Sequence, residues 1–410
     1  MKYVLLLGDG MADRPLECLG GKTPLEASSH PAMDYLAQHG DCGMAKTIPD
    51  GMPTGSDTAN MACMGFDPKR FYSGRSPLEA VSMGIDLAPD AVSFRCNLVY
   101  VSEGKFPEEC TMVDYSSDEI TTEEARELVA AIAPTFSEIG KKYGMECTLY
   151  PGISYRHCFI ISHAVPGTYG TPPHDITGKP VAGHMPTGNY ADLLTALETA
   201  SRDILANHPV NAARKARGLH PANTAWFWGE GTRPALEDFG KKYGLKPGVV
   251  CAVDLIRGLG MCAGMRTIDV LGATGAIETN FRGKGEAAIE LLRSGCDFVY
   301  IHVESPDECG HHGEAELKCR AIERLDKEVL TPILEAFKNE PLSVLVMPDH
   351  PTPVSVRTHT GDPVPFVIWR SDKPAKNPAE RYTEACAAST GVYLPEGYRI
   401  MDRFLKEIEA

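Results

Sequence analysis

Tyr3-Val4-Leu5-Leu6-Leu7-Gly8-Asp9-Gly10 opens the chain with an apolar run that stops at a glycine and an acid. Two later stretches repeat the design. Asp297-Phe298-Val299-Tyr300-Ile301-His302-Val303 runs into Glu304-Ser305-Pro306-Asp307, and Ser343-Val344-Leu345-Val346-Met347 runs into Pro348-Asp349-His350. Short, continuous, β-rich apolar runs predict strands buried on both faces, the habit of a parallel sheet. Ligands of open α/β sheets bind beyond the carboxyl ends of the strands, so acids far apart in sequence are expected to meet there. Helical periodicity fills the intervals, as crossovers require. Residues 286–292 form one such segment. A second runs from Leu317 to Phe337, with Ala321-Ile322, Leu325, Val329-Leu330, Ile333-Leu334 and Phe337 on one face. A further strand is expected over 364–368. The first strand and roughly the last 150 residues therefore read as halves of one α/β sheet domain.

The middle of the chain reads as an inserted α+β domain over 90–248, leaving 1–89 and 249–410 as the discontinuous sheet domain. Strands are expected over 95–101, 147–150 and 157–162. Thr121-Thr122-Glu123-Glu124 is a capping box leading into a helix over 125–132, and 190–207 reads as another helix. The Pro/Gly/His-rich stretch from Pro166 to Gly188 is expected to be a long loop, a length often associated with functional lids.

Composition narrows the function. The 410 residues carry 55 acids against 40 bases, a formal charge of −15 that disfavours nucleic acid and anionic membrane as partners. No apolar run reaches the roughly 18–20 residues of a membrane span. The apolar start breaks at Gly8-Asp9, too early for a signal peptide. Thirteen cysteines include no Cys-x-x-Cys pair, so reduced, buried thiols and a cytoplasmic protein are expected. Gly283-Lys284 lacks the spacing and the following Ser or Thr of a phosphate-binding P-loop.

Asp9, Asp307, His311, Asp349, His350 and His359 are the metal-type side chains near the strand ends. Singly, each is an ordinary turn or cap residue. Their recurrence at three strand ends, with Asp349 and His350 adjacent, is not ordinary. Carboxylate with imidazole suits Mn²⁺ or Zn²⁺, and six ligands suit two ions, a device for phosphoryl transfer. Pro53-Thr54-Gly55-Ser56-Asp57-Thr58 places a serine where a helix is expected to begin, either as an N-cap or as a nucleophile beside a metal. Arg75, Arg95, Arg156 and Arg257 are candidates for holding an anion, as is His157 beside Arg156. His302, inside an apolar strand, reads as a core histidine.

Gly8-Asp9-Gly10, Thr54–Met61, Asp307 with His311, Asp349-His350 and Thr358-His359-Thr360 occur in the order found in cofactor-independent phosphoglycerate mutases. Across essentially the whole chain the sequence resembles the shorter, archaeal-type branch of that family, within the alkaline phosphatase superfamily. Tyr72–Ala80 and Ala252–Gly258 add to the likeness. The resemblance implies an alkaline-phosphatase-like, mostly parallel sheet domain with helices on both faces, interrupted by a transferase domain. It implies Ser56 as nucleophile, with Asp9, Ser56, Asp349 and His350 around one ion and Asp307, His311 and His359 around the other. The ions would be Mn²⁺, with Zn²⁺, Co²⁺ or Mg²⁺ as alternatives. Arg75, Arg156, His157 and Arg257 would be substrate contacts, although Arg257 falls where the family often has lysine. The substrate would be a small phosphorylated carboxylate, 3-phosphoglycerate, and a homo-oligomer is compatible with the reading. Thr224-Ala225-Trp226-Phe227-Trp228-Gly229-Glu230-Gly231 resembles a subgroup proposed to be of homoserine-kinase type. A phosphotransferase to homoserine and a metal-dependent phosphatase therefore stand as alternative activities, and a metal-binding protein without catalysis as a third reading.

Overall fold

Strand Lys2–Gly8 lies between Phe298–Val303 and Leu342–Met347 and runs parallel to both, with Leu7 level with His302 and Met347. The computed structural model describes residues 1–406. In it these three runs are the centre of an eight-stranded sheet. On one side Pro247–Val250 and Arg266–Ile268 extend the sheet in parallel. On the other, Val364–Arg370 runs antiparallel to both its neighbours, Asp41–Ala45 resumes the central direction, and Tyr393–Leu394 closes that edge in parallel. Mixed sheets of this kind commonly carry antiparallel strands at one edge.

The continuous apolar runs are explained by cover on both faces. Val4 and Leu6 join a core with Phe281, Leu291, Ile322, Leu325 and Ile333 from the helices on one side. Toward the other, the Tyr300 hydroxyl donates to Asn60 on helix Ser56–Cys63, and Tyr3 meets Phe404 of helix Ile400–Lys406 edge-on at 5.7 Å. Each fully buried aliphatic side chain contributes about 1.5–3 kcal/mol, so the centre of the sheet is a rigid platform for the loops at its carboxyl end.

Two units make up the chain. One joins residues 1–72 to those from Ala235 onward, and the other is Ser73–Pro234. Both junctions fall earlier than 89/90 and 248/249. Helix Ser76–Ser82 packs on strands Val92–Val101, Arg156–Ser162 and Thr224–Gly231 of the second unit, while Pro247–Val250 belongs to the large sheet. In the second unit Val92–Val101 is paired antiparallel with Arg156–Ser162 on one side and Thr224–Gly231 on the other. Glu146–Tyr150 and Met112–Asp114 complete the five strands.

Several elements differ from expectation. The helix expected over 125–132 runs from Thr122 to Lys142. Thr121 caps the N–H of Glu124, but the Glu124 carboxylate pairs with Arg214 and Arg217 instead of completing the box. The segment read as one helix over 317–337 is Ala315–Arg324, a π-turn at Leu325–Leu330, and Thr331–Ala336. The 166–188 loop contains a short ladder between Thr168–Tyr169 and Thr187–Gly188. Among the described residues no helix is long and apolar enough to cross a membrane, and all thirteen cysteines are free.

Candidate active site

The first unit gathers its acids and histidines at the carboxyl end of the sheet. Asp9 follows the first strand directly, and Asp349-His350 follow Leu342–Met347. Asp307 and His311 lie one turn apart on helix Ser305–His312, on the same face. His359 comes from the loop before Val364–Arg370. Two groups result: Asp9 with Asp349 and His350, and Asp307 with His311 and His359. They adjoin, since the His350 and His359 rings lie 4.1 Å apart.

In the first group, His350 Nε2 lies 3.5 Å from Asp9 Oδ1 and 3.3 Å from Asp349 Oδ2. Asp349 is held firmly: Oδ1 accepts from the N–H of Gly10 and of His350, and Oδ2 accepts from Asn60 Nδ2 at 2.6 Å. Burial, then the neighbouring Asp349, Asp307 and Glu304 charges, pushes the Asp9 carboxyl well above the usual range. Its Oδ1 is buried without a hydrogen-bond partner among the described residues. Two adjacent buried carboxylates and an orphaned oxygen fit a divalent cation, which removes both penalties at once.

The second group shows the same fit. His311 Nε2 and His359 Nε2 face each other at 2.9 Å, and each lies within 3.4 Å of an Asp307 oxygen. Burial opposes the charged form of Asp307, but hydrogen bonds from both rings hold its carboxyl well below the usual range. The bond to Asp307 lifts His311 to about 9. Ring nitrogens converging on one point beside a carboxylate are a metal-ligand arrangement. His312, next in sequence, turns away to lie 3.8 Å from Glu314.

Ser56 is the first residue of helix Ser56–Cys63, with Gly55 as its cap. Its Oγ lies 3.1 Å from His350 Nε2, so the hydroxyl faces the first group. Asn60 ties the two together, donating to both Ser56 O and Asp349 Oδ2. The helix N-terminus offers N–H groups and the positive end of a dipole to an anion on that hydroxyl.

The arginines divide between the units. Arg257 is in the first, ion-paired with Asp269. In the second, exposed Arg75 pairs with Glu79 at 3.2 Å and exposed Arg156 lies over the Tyr155 ring. Arg95, mostly buried, pairs with the other Glu79 oxygen at 2.9 Å and stacks on Trp228 at 4.1 Å. Burial lowers the Arg95 pKa; Glu79 opposes this, and the charges of Arg75 and Arg156 add to it. Two guanidiniums, those of Arg75 and Arg95, therefore share the Glu79 carboxylate. His157 is buried, its Nδ1 accepting from Gly152 N at 3.0 Å, and burial holds it neutral, down to about 3. It shapes the turn before Arg156.

Sequence reasoning passed over four side chains that organise the site. Asn60 and Thr352 are polar residues among many. Thr352 donates to Asp307, and its Oγ1 lies 3.3 Å from His350 Nδ1. Lys284 is wholly buried, donates to the His302 carbonyl at 3.1 Å, and is lowered by burial to about 8. His302 Nε2 lies 2.9 Å from Asp9 Oδ2, and burial lowers its pKa to about 3. Only the sheet register, which sets His302 opposite Leu7, brings it to Asp9.

A family model described as 2,3-bisphosphoglycerate-independent phosphoglycerate mutase matches residues 37–211. The chain is 48% identical over 390 residues to the 2,3-bisphosphoglycerate-independent phosphoglycerate mutase of Methanosarcina barkeri, covering 94% of this chain and 95% of that one. Among solved structures, a Pyrococcus horikoshii protein superposes with a TM-score of 0.81 at 29% identity, covering 100% of this chain and 98% of the other. The cofactor-independent phosphoglycerate mutase of Thermoplasma acidophilum gives 0.68 at 26% identity, over 99% and 100% of the two chains.

Proposed function

The chain belongs to the 2,3-bisphosphoglycerate-independent phosphoglycerate mutase family, and from that premise we propose that it interconverts 3-phosphoglycerate and 2-phosphoglycerate through a phosphoserine at Ser56. The observation that carries the mechanism is the Ser56 hydroxyl at a helix N-terminus, 3.1 Å from His350 and beside two clusters of metal-type ligands. Asp9, Asp349 and His350, with Ser56, would hold one divalent ion, and Asp307, His311 and His359 the other. Mn²⁺ suits the mixed oxygen and nitrogen donors, with Zn²⁺, Co²⁺ or Mg²⁺ as alternatives. When bound, such ions lower the pKa of a coordinated hydroxyl and offset charge on a transferring phosphoryl group.

Ser56 Oγ attacks the phosphorus of 3-phosphoglycerate. The bond from phosphorus to the 3-oxygen breaks, and the proton that leaves Ser56 is made good on that oxygen. The 2-hydroxyl of the same glycerate then attacks the phosphoserine, the bond to Oγ breaks, and Ser56 recovers its proton. Asn60 fixes Ser56 against Asp349 throughout, and the first N–H groups of the helix meet the phosphoryl oxygens. Arg75, Arg156 and Arg257 are the residues we assign to recognition of the substrate's anionic groups, and His157 sets the turn that carries Arg156. The first unit thus acts as the phosphatase-like part and the second as the transferase part. Thirteen free thiols support the cytoplasm as the place of action.

Protein loaded with Mn²⁺ and given 3-phosphoglycerate is expected to yield 2-phosphoglycerate, with Ser56→Ala inactive. Release of inorganic phosphate, or turnover retained in Ser56→Ala, would overturn the mechanism, and phosphorylation of homoserine from ATP would reassign the substrate.

A further inference from the structure

The two carboxylates of the first group are held differently. Asp349 has both oxygens engaged by hydrogen-bond donors. Asp9 has one of each kind: Oδ2 lies 2.9 Å from His302 Nε2, while buried Oδ1 has no hydrogen-bond partner among the described residues and lies 3.5 Å from His350 Nε2. His302 is itself wholly buried, and its Nδ1 has no partner among the described residues. With Nδ1 unpartnered, a ring proton is best placed on Nε2, where it meets an Asp9 oxygen. The backbone that carries the ring is fixed within the central sheet, and its carbonyl accepts from buried Lys284 at 3.1 Å.

We infer that His302 is a positioning residue of the metal centre: by donating Nε2–H to Asp9 Oδ2, it leaves Oδ1 as the single oxygen presented to the cation. The ring stays outside the ligand shell. Donors behind metal-binding carboxylates orient them, and their loss typically costs 10–100-fold in metal affinity. A carboxylate without that donor would be free to rotate or to offer both oxygens, changing the shape of the site. The inference rests on the proposed metal-binding reading of the two clusters.

The test compares two amides at position 302. His302→Gln places an N–H donor near the position of the imidazole Nε2. His302→Asn carries the same group one methylene shorter and falls short of Oδ2. Apo protein titrated calorimetrically with Mn²⁺ alone is expected to show two sites in the wild type. In His302→Asn one site is expected to weaken 10–100-fold while the other is unchanged, with recovery to within a few-fold in His302→Gln. A wild type that binds no Mn²⁺ would refute the metal reading itself. Wild-type affinities in His302→Asn, or equal losses in both variants, would refute the role of His302 while leaving the metal reading intact. A check that needs no variant is the ring ¹⁵N NMR signature of His302 in wild-type protein with and without Zn²⁺. Persistence of the Nε2–H tautomer supports positioning, and its loss on metal binding makes the ring a ligand and overturns the inference.

Discussion

Gly10 turns the chain immediately after Asp9 with φ +60°, a conformation that costs other residues about 1–2 kcal/mol. A Cβ there would lie 2.5 Å from Thr352 Oγ1 and 2.7 Å from the Asp307 Cα, which is backbone and cannot swing aside. Gly10→Ala is therefore expected to lower stability by more than the conformational cost alone and to push the two ligand loops apart. Thermal melts of the apo protein and the stoichiometry of bound Mn²⁺ check this, and a variant that melts and binds as wild type would contradict it. At this scale the candidate ligands were legible in the sequence, and the side chains that support them were not. Asp9, Asp307 and Asp349 stood out because each follows a buried strand. His302 did not, since a histidine in an apolar strand looks the same whether it meets a carbonyl or a carboxylate. His157 was read as a substrate contact from its neighbour Arg156, yet it points inward because strand residues alternate faces.

Between elements, the site depends on a buried ion pair. Lys318 on helix Ala315–Arg324 reaches Asp13 at 2.7 Å with both side chains fully buried, and it also donates to the carbonyls of Ala12 and Thr352. Asp13 in turn accepts from the Val354 N–H. One ammonium thus staples the loop after Asp9 to the loop after His350. Breaking such a pair leaves an uncompensated buried charge, so Lys318→Met is expected to cost about 3–5 kcal/mol, read from urea unfolding. A loss under about 1 kcal/mol, the range of exposed pairs, would show that the loops are held by other contacts. Element types were largely legible, because the central strands and the helices beside them are long and periodic. The π-turn at Leu325–Leu330 was not, since one extra residue per turn barely alters an apolar stripe. Strand Asp41–Ala45 was hidden by its glycine and its short run of small residues, and the junction near Ser73 by a helix whose packing partners are remote in sequence.

For the whole molecule, the charge of −15 would be offset locally at the site by the proposed ions. Asp9, Asp349 and Asp307 carry three formal negative charges, and two divalent ions would bring four positive ones, enough to admit an anionic substrate. Protons compete for the same places. Without metal, the bond to Asp307 raises His311 to about 9, and His359 is raised by the same carboxylate against the effect of burial. A histidine raised on folding stabilises the protein fully below its unfolded pKa of about 6.5. That contribution fades as pH rises through the folded value. Metal needs the neutral rings, so its binding must displace those protons and strengthens over the same interval. The gap in melting temperature between Mn²⁺-loaded and chelator-treated protein is thus expected to widen from about pH 6.5 to 9. Metal at a hundred times its dissociation constant contributes about 2.7 kcal/mol per site. Calorimetric melts at constant free Mn²⁺ across this range decide the matter. A gap independent of pH would mean that His311 and His359 hold no titrating proton that the ion must replace, and the second cluster would then lose its claim to a cation.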